Sequence, residues 1–198
     1  MSRKIDKRTI KTKNALCNAI IDSIVNNPQK KITIGTLTKS ININRNTFYL
    51  HYRTLKDLLN DSISFVSKKI LSKVKEIALI EYITSPLLLM KTISSAITSN
   101  ETYTKFIFDS KYSKQIINKI DDDLSFYIVR EYKKLINSQS DLYYFSINFL
   151  ICGYLYSLAA WHHNKPNYDL SLIHHQISKL CLYGIKETYM IELNKNNK

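Results

Sequence analysis

Apolar residues recur every three or four positions along almost the whole chain, which is the spacing of one face of a helix. A first helix is predicted over residues 7–27, where Asn26, Asn27 and Pro28 end the pattern. A long amphipathic helix begins at Thr54 and continues through Val74. Further helices are predicted at residues 86–98, 101–109, 112–137, 142–163 and 169–193. The pattern therefore predicts an all-α fold of about nine helices and no sheet.

The composition supports this fold and also bears on the cellular compartment in which the protein is expected. Only 3 glycines and 3 prolines occur in 198 residues, too few for the turns of a β or Rossmann-type fold. Cys17, Cys152 and Cys181 are far apart and not in CxxC spacing, which disfavours disulfides and thiolate zinc sites. A reducing cytoplasm is the predicted location. The adjacent histidine pairs at 162–163 and 174–175 point about 100° apart on a helix, so neither a metal nor a cofactor is predicted.

Residues 33–52 contain two short helical segments around a tight turn. Thr33 can cap a helix over residues 34–40, and a second short helix follows the polar turn 42–44. The inner face of the second helix carries Phe48 and Tyr52. Its outer face presents the donors and acceptors Arg45, Asn46, Thr47, Tyr49 and His51. A short helix with a polar outer face, braced by another, is what a helix-turn-helix needs to enter the major groove.

Positive charge is concentrated at the same end of the chain. Residues 1–60 hold 12 lysines and arginines against 3 acidic residues, whereas residues 61–198 hold 17 against 13. The balance indicates an N-terminal contact with a polyanion. The basic arm Arg3, Lys4, Lys7 and Arg8 could reach along the DNA backbone or into the minor groove, and a solvated tail is the alternative.

One segment needs testing as a membrane span. Residues 142–161 carry no charge over 20 positions, the length of a spanning helix. However, the segment contains Ser146, Asn148 and Ser157, and its tyrosines would sit inside the hydrocarbon. A helix buried on all sides by protein is favoured, and no signal peptide is predicted. A soluble protein without a membrane partner follows.

The run from Thr33 to Tyr52, followed by Leu58 and Leu59, resembles the TetR family of bacterial transcriptional regulators. It is similar to the family pattern of a threonine opening the second helix, a turn, and then Thr-hydrophobic-Tyr-x-His-aromatic. The segment Ile-Asn-Arg-Asn-Thr-Phe-Tyr-x-His-Tyr is especially similar to the corresponding sequence of regulators of dihydroxyacetone kinase operons. Two positions depart from the pattern: Asn42 replaces the turn glycine, and Leu55 stands where many members have a phosphate-contacting lysine, with Lys56 adjacent.

The resemblance implies a role for each matching residue. Thr33, Tyr49 and His51 are expected to contact phosphates, and Lys56 to replace the missing lysine. Arg45, Asn46 and Thr47 are expected to read bases, because arginine pairs bidentately with guanine and asparagine with adenine. The resemblance also divides the chain into a DNA-binding domain, residues 1–56, and a dimerisation and effector domain, residues 57–198.

Dimerisation in this family typically uses the last two long helices. Gly153, Trp161 and Gly184 are the expected interface residues here, and a close helix approach would explain glycine inside a helix. An effector pocket is expected among the middle helices, where plain aromatic core is the alternative. The aromatic candidates for that pocket are Tyr103, Phe106, Phe108, Tyr127, Tyr144 and Phe145.

These features together predict a homodimeric repressor that binds a palindromic DNA operator and is released by a small-molecule effector. One alternative is an activator controlled by a protein co-regulator. Another is a non-specific basic helical module that binds RNA or a membrane surface. No catalytic motif such as GxSxG, HExxH or a P-loop is present, so an enzyme is not predicted.

Overall fold

The computed structural model describes residues 7–136 and 142–196, with side chains omitted at 142–143 and 185–196. Arg3 and Lys4 of the predicted basic arm lie outside the described residues. The described part is all-helical, as predicted from the sequence. Its ten helices are α1 (Lys7–Asn26), α2 (Ile34–Ser40), α3 (Arg45–Tyr49), α4 (Leu55–Val74), α5 (Leu79–Thr84), α6 (Pro86–Thr98), α7 (Glu101–Phe108), α8 (Ser113–Leu135), α9 (Leu142–Asn164) and α10 (Leu170–Asn196).

The helices group into two compact units. The first unit comprises the chain up to Lys69 together with Asn100–Lys119. The second unit comprises Ile70–Ser99 and the chain from Ile120 onward. The first unit thus extends past residue 56, because α7 packs against α1. The domain boundary at residue 56 concerns the DNA-binding module and stays a prediction.

The core of the first unit forms around the apolar face of α1. Leu16, Ile20 and Ile21 on that face are buried, and α1 packs against both α2 and α7. The Tyr103 hydroxyl of α7 donates a hydrogen bond to the Asn18 side chain of α1 at 2.8 Å. Apolar burial and this polar link hold α1 against α7 and so fix the base on which α2 rests.

The second unit packs α6 and α9 against α10. Its Tyr144–Asn164 segment is long and apolar enough to cross a membrane, with a mean hydropathy of 1.2, but one such helix is weak evidence for a span. A soluble core helix passes the same test. Within the single chain 28% of an 18-residue window of this helix is buried, so its burial on all sides needs a partner and stays a prediction. The described helices cover one face of α9 and leave Phe145 and Phe149 exposed.

Three local predictions differ from the structure. Helix α5 was not predicted: its N-cap is Ala78, which offers no side-chain hydrogen bond, so the usual start signal is missing. Helix α3 ends at Tyr49 instead of Tyr52. Gly184 does not continue a regular helix, because its φ of 71° and ψ of 175° kink α10 at that point.

Candidate nucleic-acid interface

Thr33 starts α2 through a reciprocal pair of hydrogen bonds. The Thr36 backbone N–H donates to the Thr33 hydroxyl at 3.1 Å, and the Thr33 backbone N–H donates to the Thr36 hydroxyl at 3.1 Å. This capping box satisfies two amides that a helix start leaves without partners. The capping role predicted for Thr33 is therefore confirmed, while its contact with a phosphate stays a prediction.

The turn between α2 and α3 depends on two asparagines. Asn42 has a φ of 52°, the left-handed conformation expected of a residue that replaces a turn glycine. The Asn44 side chain then caps α3 by accepting the Asn46 backbone N–H at 2.9 Å. The turn and the cap together set the direction in which α3 leaves α2.

Helix α3 is anchored from its inner side. Phe48 is fully buried. Buried Tyr52, just beyond the helix, donates a hydrogen bond to the Asp61 carboxylate of α4 at 2.5 Å. Lys13 of α1 forms an ion pair with the same carboxylate at 3.4 Å. Because the Tyr52 proton is committed to Asp61, the Cys17 thiol is the donor in the 3.9 Å contact with the Tyr52 oxygen.

This network ties α1, the end of α3 and α4 together. Burial, reinforced by the hydrogen bond to Asp61, raises the pKa of Tyr52 well above its ordinary value. Burial also raises the pKa of the Cys17 thiol, which keeps that thiol neutral. The sequence pattern identified Tyr52 as an inward residue but missed Asp61, because a carboxylate on an amphipathic helix usually faces solvent.

The outer side of α3 presents the residues expected to contact DNA. Arg45 and Asn46 are exposed, Tyr49 is 56% exposed, and Thr47 and His51 are half-buried. Leu50 follows the helix with 81% of its surface exposed. Lys56 is exposed in the first turn of α4. The structure therefore places the seven predicted contact residues, from Thr33 to Lys56, in the first unit, with none of them buried.

Arg45 has a neighbour that the sequence did not indicate. Its guanidinium lies against Gly35 of α2, where a Cβ would overlap Nη2 and come within 3.1 Å of Cζ. The missing side chain of Gly35 leaves the room that this arginine occupies. Nothing in the local pattern links two residues ten positions apart, so only the folded turn reveals the pair.

The six aromatic residues predicted to line an effector pocket do not surround one cavity. Phe106 and Phe108 are buried core residues of the first unit, where Tyr103 bonds Asn18. In the second unit Tyr144 and Phe145 are exposed, and Tyr127 lies under Lys75. The second unit does contain an apolar cavity of about 420 Å³, and none of the six lines it. Its lining includes Tyr82, Leu89, Met90, Ile93, Leu150, Ile151 and Tyr154.

Tyr154 of the cavity wall belongs to a set of buried polar groups that the sequence pattern missed. The Tyr154 hydroxyl donates to the Met90 carbonyl at 2.7 Å, so His174 Nε2–H must be the donor in its 3.0 Å bond to Tyr154. Burial lowers the pKa of His174. Elsewhere in this unit, the buried Asp121 carboxylate accepts hydrogen bonds from Ser125 at 3.1 Å and Asn148 at 3.0 Å. Burial raises the pKa of Asp121 in spite of them.

The three predicted interface residues have different surroundings in the single chain. Apart from the backbone of its own helix, no atom of the described residues lies within 4 Å of a Cβ built at Gly153, so their packing does not explain this glycine. The Trp161 indole N–H donates to the Tyr168 carbonyl at 3.3 Å across the hinge between α9 and α10. Gly184 supplies the kink of α10. Phe145, Phe149, Gly153 and Tyr156 form one exposed stripe along α9.

Neither a family model, nor a curated protein, nor a solved structure matches the chain. The likeness carried by residues 33–59 therefore stays a prediction from the sequence.

Proposed function

We propose that this chain is a DNA-binding transcriptional regulator of the TetR type. The observation that carries the proposal is the two-sided character of α3. Phe48 anchors its inner side, while Arg45 and Asn46 are exposed on the outside of a unit rich in positive charge. A short, rigidly held helix with exposed hydrogen-bonding groups is suited to the major groove.

The exposed residues divide by the chemistry they can perform. Arg45 and Asn46 suit base edges, because their forked side chains can make two hydrogen bonds to one base. Tyr49, His51 and Lys56 suit phosphate oxygens, which position the protein without carrying sequence information. Thr33 and Thr47 offer hydroxyls to either target.

The proposed regulator acts as a homodimer. The exposed stripe of α9 supports this step, because soluble monomers rarely leave a contiguous aromatic strip in water. A two-fold dimer would present two copies of α3 to successive major grooves, about 34 Å apart. Such a dimer reads a palindrome.

The apolar cavity of the second unit supports control by a small, largely apolar effector. Its volume of about 420 Å³ lies in the range of about 300–1,000 Å³ common for ligand sites. DNA and the effector would prefer different conformations of the dimer. Effector binding then shifts the population toward the conformation that binds the operator poorly. Repression in the cytoplasm, relieved by that effector, is the proposed outcome.

Selection of bound duplexes from a random DNA library tests the proposal. We expect one palindromic sequence to be enriched, with half-sites separated by about one helical turn. Titrations on that sequence should give a slope of log K against log salt of about −5 to −7, from three to four phosphate contacts per protomer. Failure to enrich any sequence, with equal binding to RNA or anionic vesicles, would favour the non-specific module instead.

A further inference from the structure

The first unit also contains a concave feature, and Lys56 is the one residue of its lining that the proposed function uses. It is a cleft of about 1150 Å³ bounded by the end of α1, the loop from α1 to α2, the start of α4 and the connection from α7 to α8. All of its lining residues belong to this unit.

The rim of the cleft is strongly cationic. Five lysines from three separate parts of the chain line it, against one acidic residue, Asp109. The five are Lys30, Lys31, Lys56, Lys105 and Lys111. Lys105 forms an ion pair with Glu101 at 2.7 Å, and Lys111 lies over the Tyr112 ring. Within the described ranges, the side chains of Lys30, Lys31 and Lys56 have neither a hydrogen bond nor an ion pair.

The floor of the cleft is apolar. Ile20 and Ile24 of α1 form part of it and are themselves buried. Leu55 and Leu59 of α4 are only half-buried and line it from another side. This apolar floor would contribute little to binding a DNA backbone, because phosphates and sugars gain little from contact with aliphatic side chains. An apolar surface below several cationic groups is instead complementary to a molecule that has both an apolar body and a negative charge.

We infer that this cleft is a binding site for an amphipathic organic anion, whose carboxylate, sulfonate or phosphate group meets Lys30 and Lys31 while its apolar part covers the floor. Charge attraction and apolar burial then act on one ligand at the same time. The site lies in the first unit and is separate from the apolar cavity of the second unit.

Lys56 links the cleft to DNA binding, and this step of the inference rests on the proposed function. The same lysine lines the cleft and is one of the proposed phosphate contacts. A bound anion that draws Lys56 toward the cleft competes with the operator for this charge. Occupation of the cleft therefore weakens DNA binding directly.

Calorimetric titration of the full-length protein with sodium decanoate, below its micelle concentration and without DNA, tests the site. The double variant Lys30→Glu/Lys31→Glu should bind decanoate about tenfold more weakly or worse, because two attractive charges become repulsive. The matched control is Lys68→Glu/Lys114→Glu, which makes the same charge change at exposed lysines of this unit outside the cleft. Its affinity should stay within about twofold of the parent. The pair Lys30→Gln/Lys31→Gln repeats the test without charge reversal.

Two further probes separate the floor from the rim. Hexanoate should bind at least about tenfold more weakly than decanoate, since four fewer methylene groups are buried. Neutral 1-decanol should bind the lysine double variant as it binds the parent, because it carries no charge for Lys30 and Lys31 to attract. Equal decanoate binding by the cleft variant and its control would overturn the inference, and so would equal affinities for acetate and decanoate.

The DNA measurement is kept apart from the ligand measurement. Decanoate should lower affinity for the selected duplex in the parent protein but not in Lys30→Glu/Lys31→Glu. If the parent binds decanoate as expected but enriches no DNA, the cleft stands and the proposed function fails. If decanoate does not bind while the lysine variant flattens the salt dependence of DNA binding, the cleft is a phosphate surface and the inference fails.

Discussion

The first unit holds 18 lysines and arginines against 6 acidic residues in its sequence, whereas the second unit holds 11 against 10. The exposed apolar side chains have the opposite distribution. Among described residues, the large exposed hydrophobics of the first unit are Ile10, Tyr49 and Leu50, and the second unit exposes aromatic residues along α8, α9 and α10. This difference is what the proposed DNA contact of the first unit and the proposed dimer contact of the second unit require.

The outer face of α3, on the cationic first unit, depends on the burial of Phe48 on the inner face. Phe48→Ala should lower the free energy of unfolding by about 3–5 kcal/mol, because it removes a fully buried ring and leaves a cavity. Urea denaturation followed by circular dichroism measures the loss. Phe126→Ala of the second unit is the control, since that ring is 65% exposed, and should change stability by less than about 0.5 kcal/mol. A loss below about 1 kcal/mol for Phe48→Ala would show that α3 is not anchored there.

The apolar surface is tested by placing a charge on it. Phe149 is 76% exposed in the middle of the α9 stripe. Phe149→Glu should weaken dimerisation by about 2 kcal/mol or more, because a central aromatic contact is replaced by a buried charge. Sedimentation at micromolar concentration measures the change. Phe126→Glu makes the same change at an exposed aromatic residue of α8, outside the α9 stripe, and should leave the dimer intact. A 23.1 kDa species as the sole species of the parent protein would refute the dimer itself.

Substitutions on the outer face of α3 should have a smaller effect, and they distinguish residues that read bases from residues that contact phosphates. Arg45→Ala should cost about 1–3 kcal/mol on the selected duplex and relax the preference at one base pair per half-site. His51→Ala should weaken binding to all duplexes alike. Gly35→Ala tests the same arginine from α2, because the new methyl group displaces the flexible guanidinium while leaving the fold intact. It should therefore relax sequence preference as Arg45→Ala does. An unchanged preference in both variants would exclude Arg45 as a reader.

The smallest effect concerns the buried carboxylate of Asp121. Burial raises its pKa above the ordinary value, so the folded state binds the proton more tightly and Asp121 contributes more stability as pH falls. Asp121→Asn removes this dependence while an amide can still bond Ser125 and Asn148. The variant should match or exceed the parent by up to about 1 kcal/mol at pH 7.5, and this difference should shrink at pH 4.5.

Asp122→Asn, at the exposed neighbouring position, serves as the control for that pH comparison. Thermal unfolding at both pH values supplies the measurement. A loss of more than about 2 kcal/mol for Asp121→Asn at pH 7.5 would mean that the ionised carboxylate stabilises the fold.

The parts of the fold that sequence reasoning predicted are those set by local rules. The long helices follow from apolar periodicity, and the starts of α2 and α6 follow from Thr33 and Pro86. Helix α5 escaped prediction because its position depends on a tertiary contact: buried Tyr82 donates a hydrogen bond to the Val74 carbonyl at 3.0 Å. Local patterns contain no information about such a bond.

The candidate site follows the same division. Side chains on the outer face of α3 could be named from the sequence because a short helix has only one face free when Phe48 is buried. Three other features could not be predicted from the sequence, because each joins residues that are distant in the chain. They are the room that Gly35 leaves for Arg45, the hydrogen-bond network of Asp61, and the two concave features. Aromatic content alone did not distinguish core rings such as Phe106 from cavity walls such as Tyr154.

The last turn of α9 contains the one tryptophan of the chain, Trp161. The Trp161 carbonyl accepts a hydrogen bond from the Lys165 N–H at 3.1 Å. The indole N–H of Trp161 donates to the Tyr168 carbonyl at 3.3 Å. Lys165 between them has a left-handed backbone with a φ of 42°. Because the indole is only half-buried, its emission wavelength and quenching respond to any change in this turn. The protein therefore carries an intrinsic fluorescent reporter at the joint between α9 and α10, which can follow a rearrangement of this turn in real time without a label.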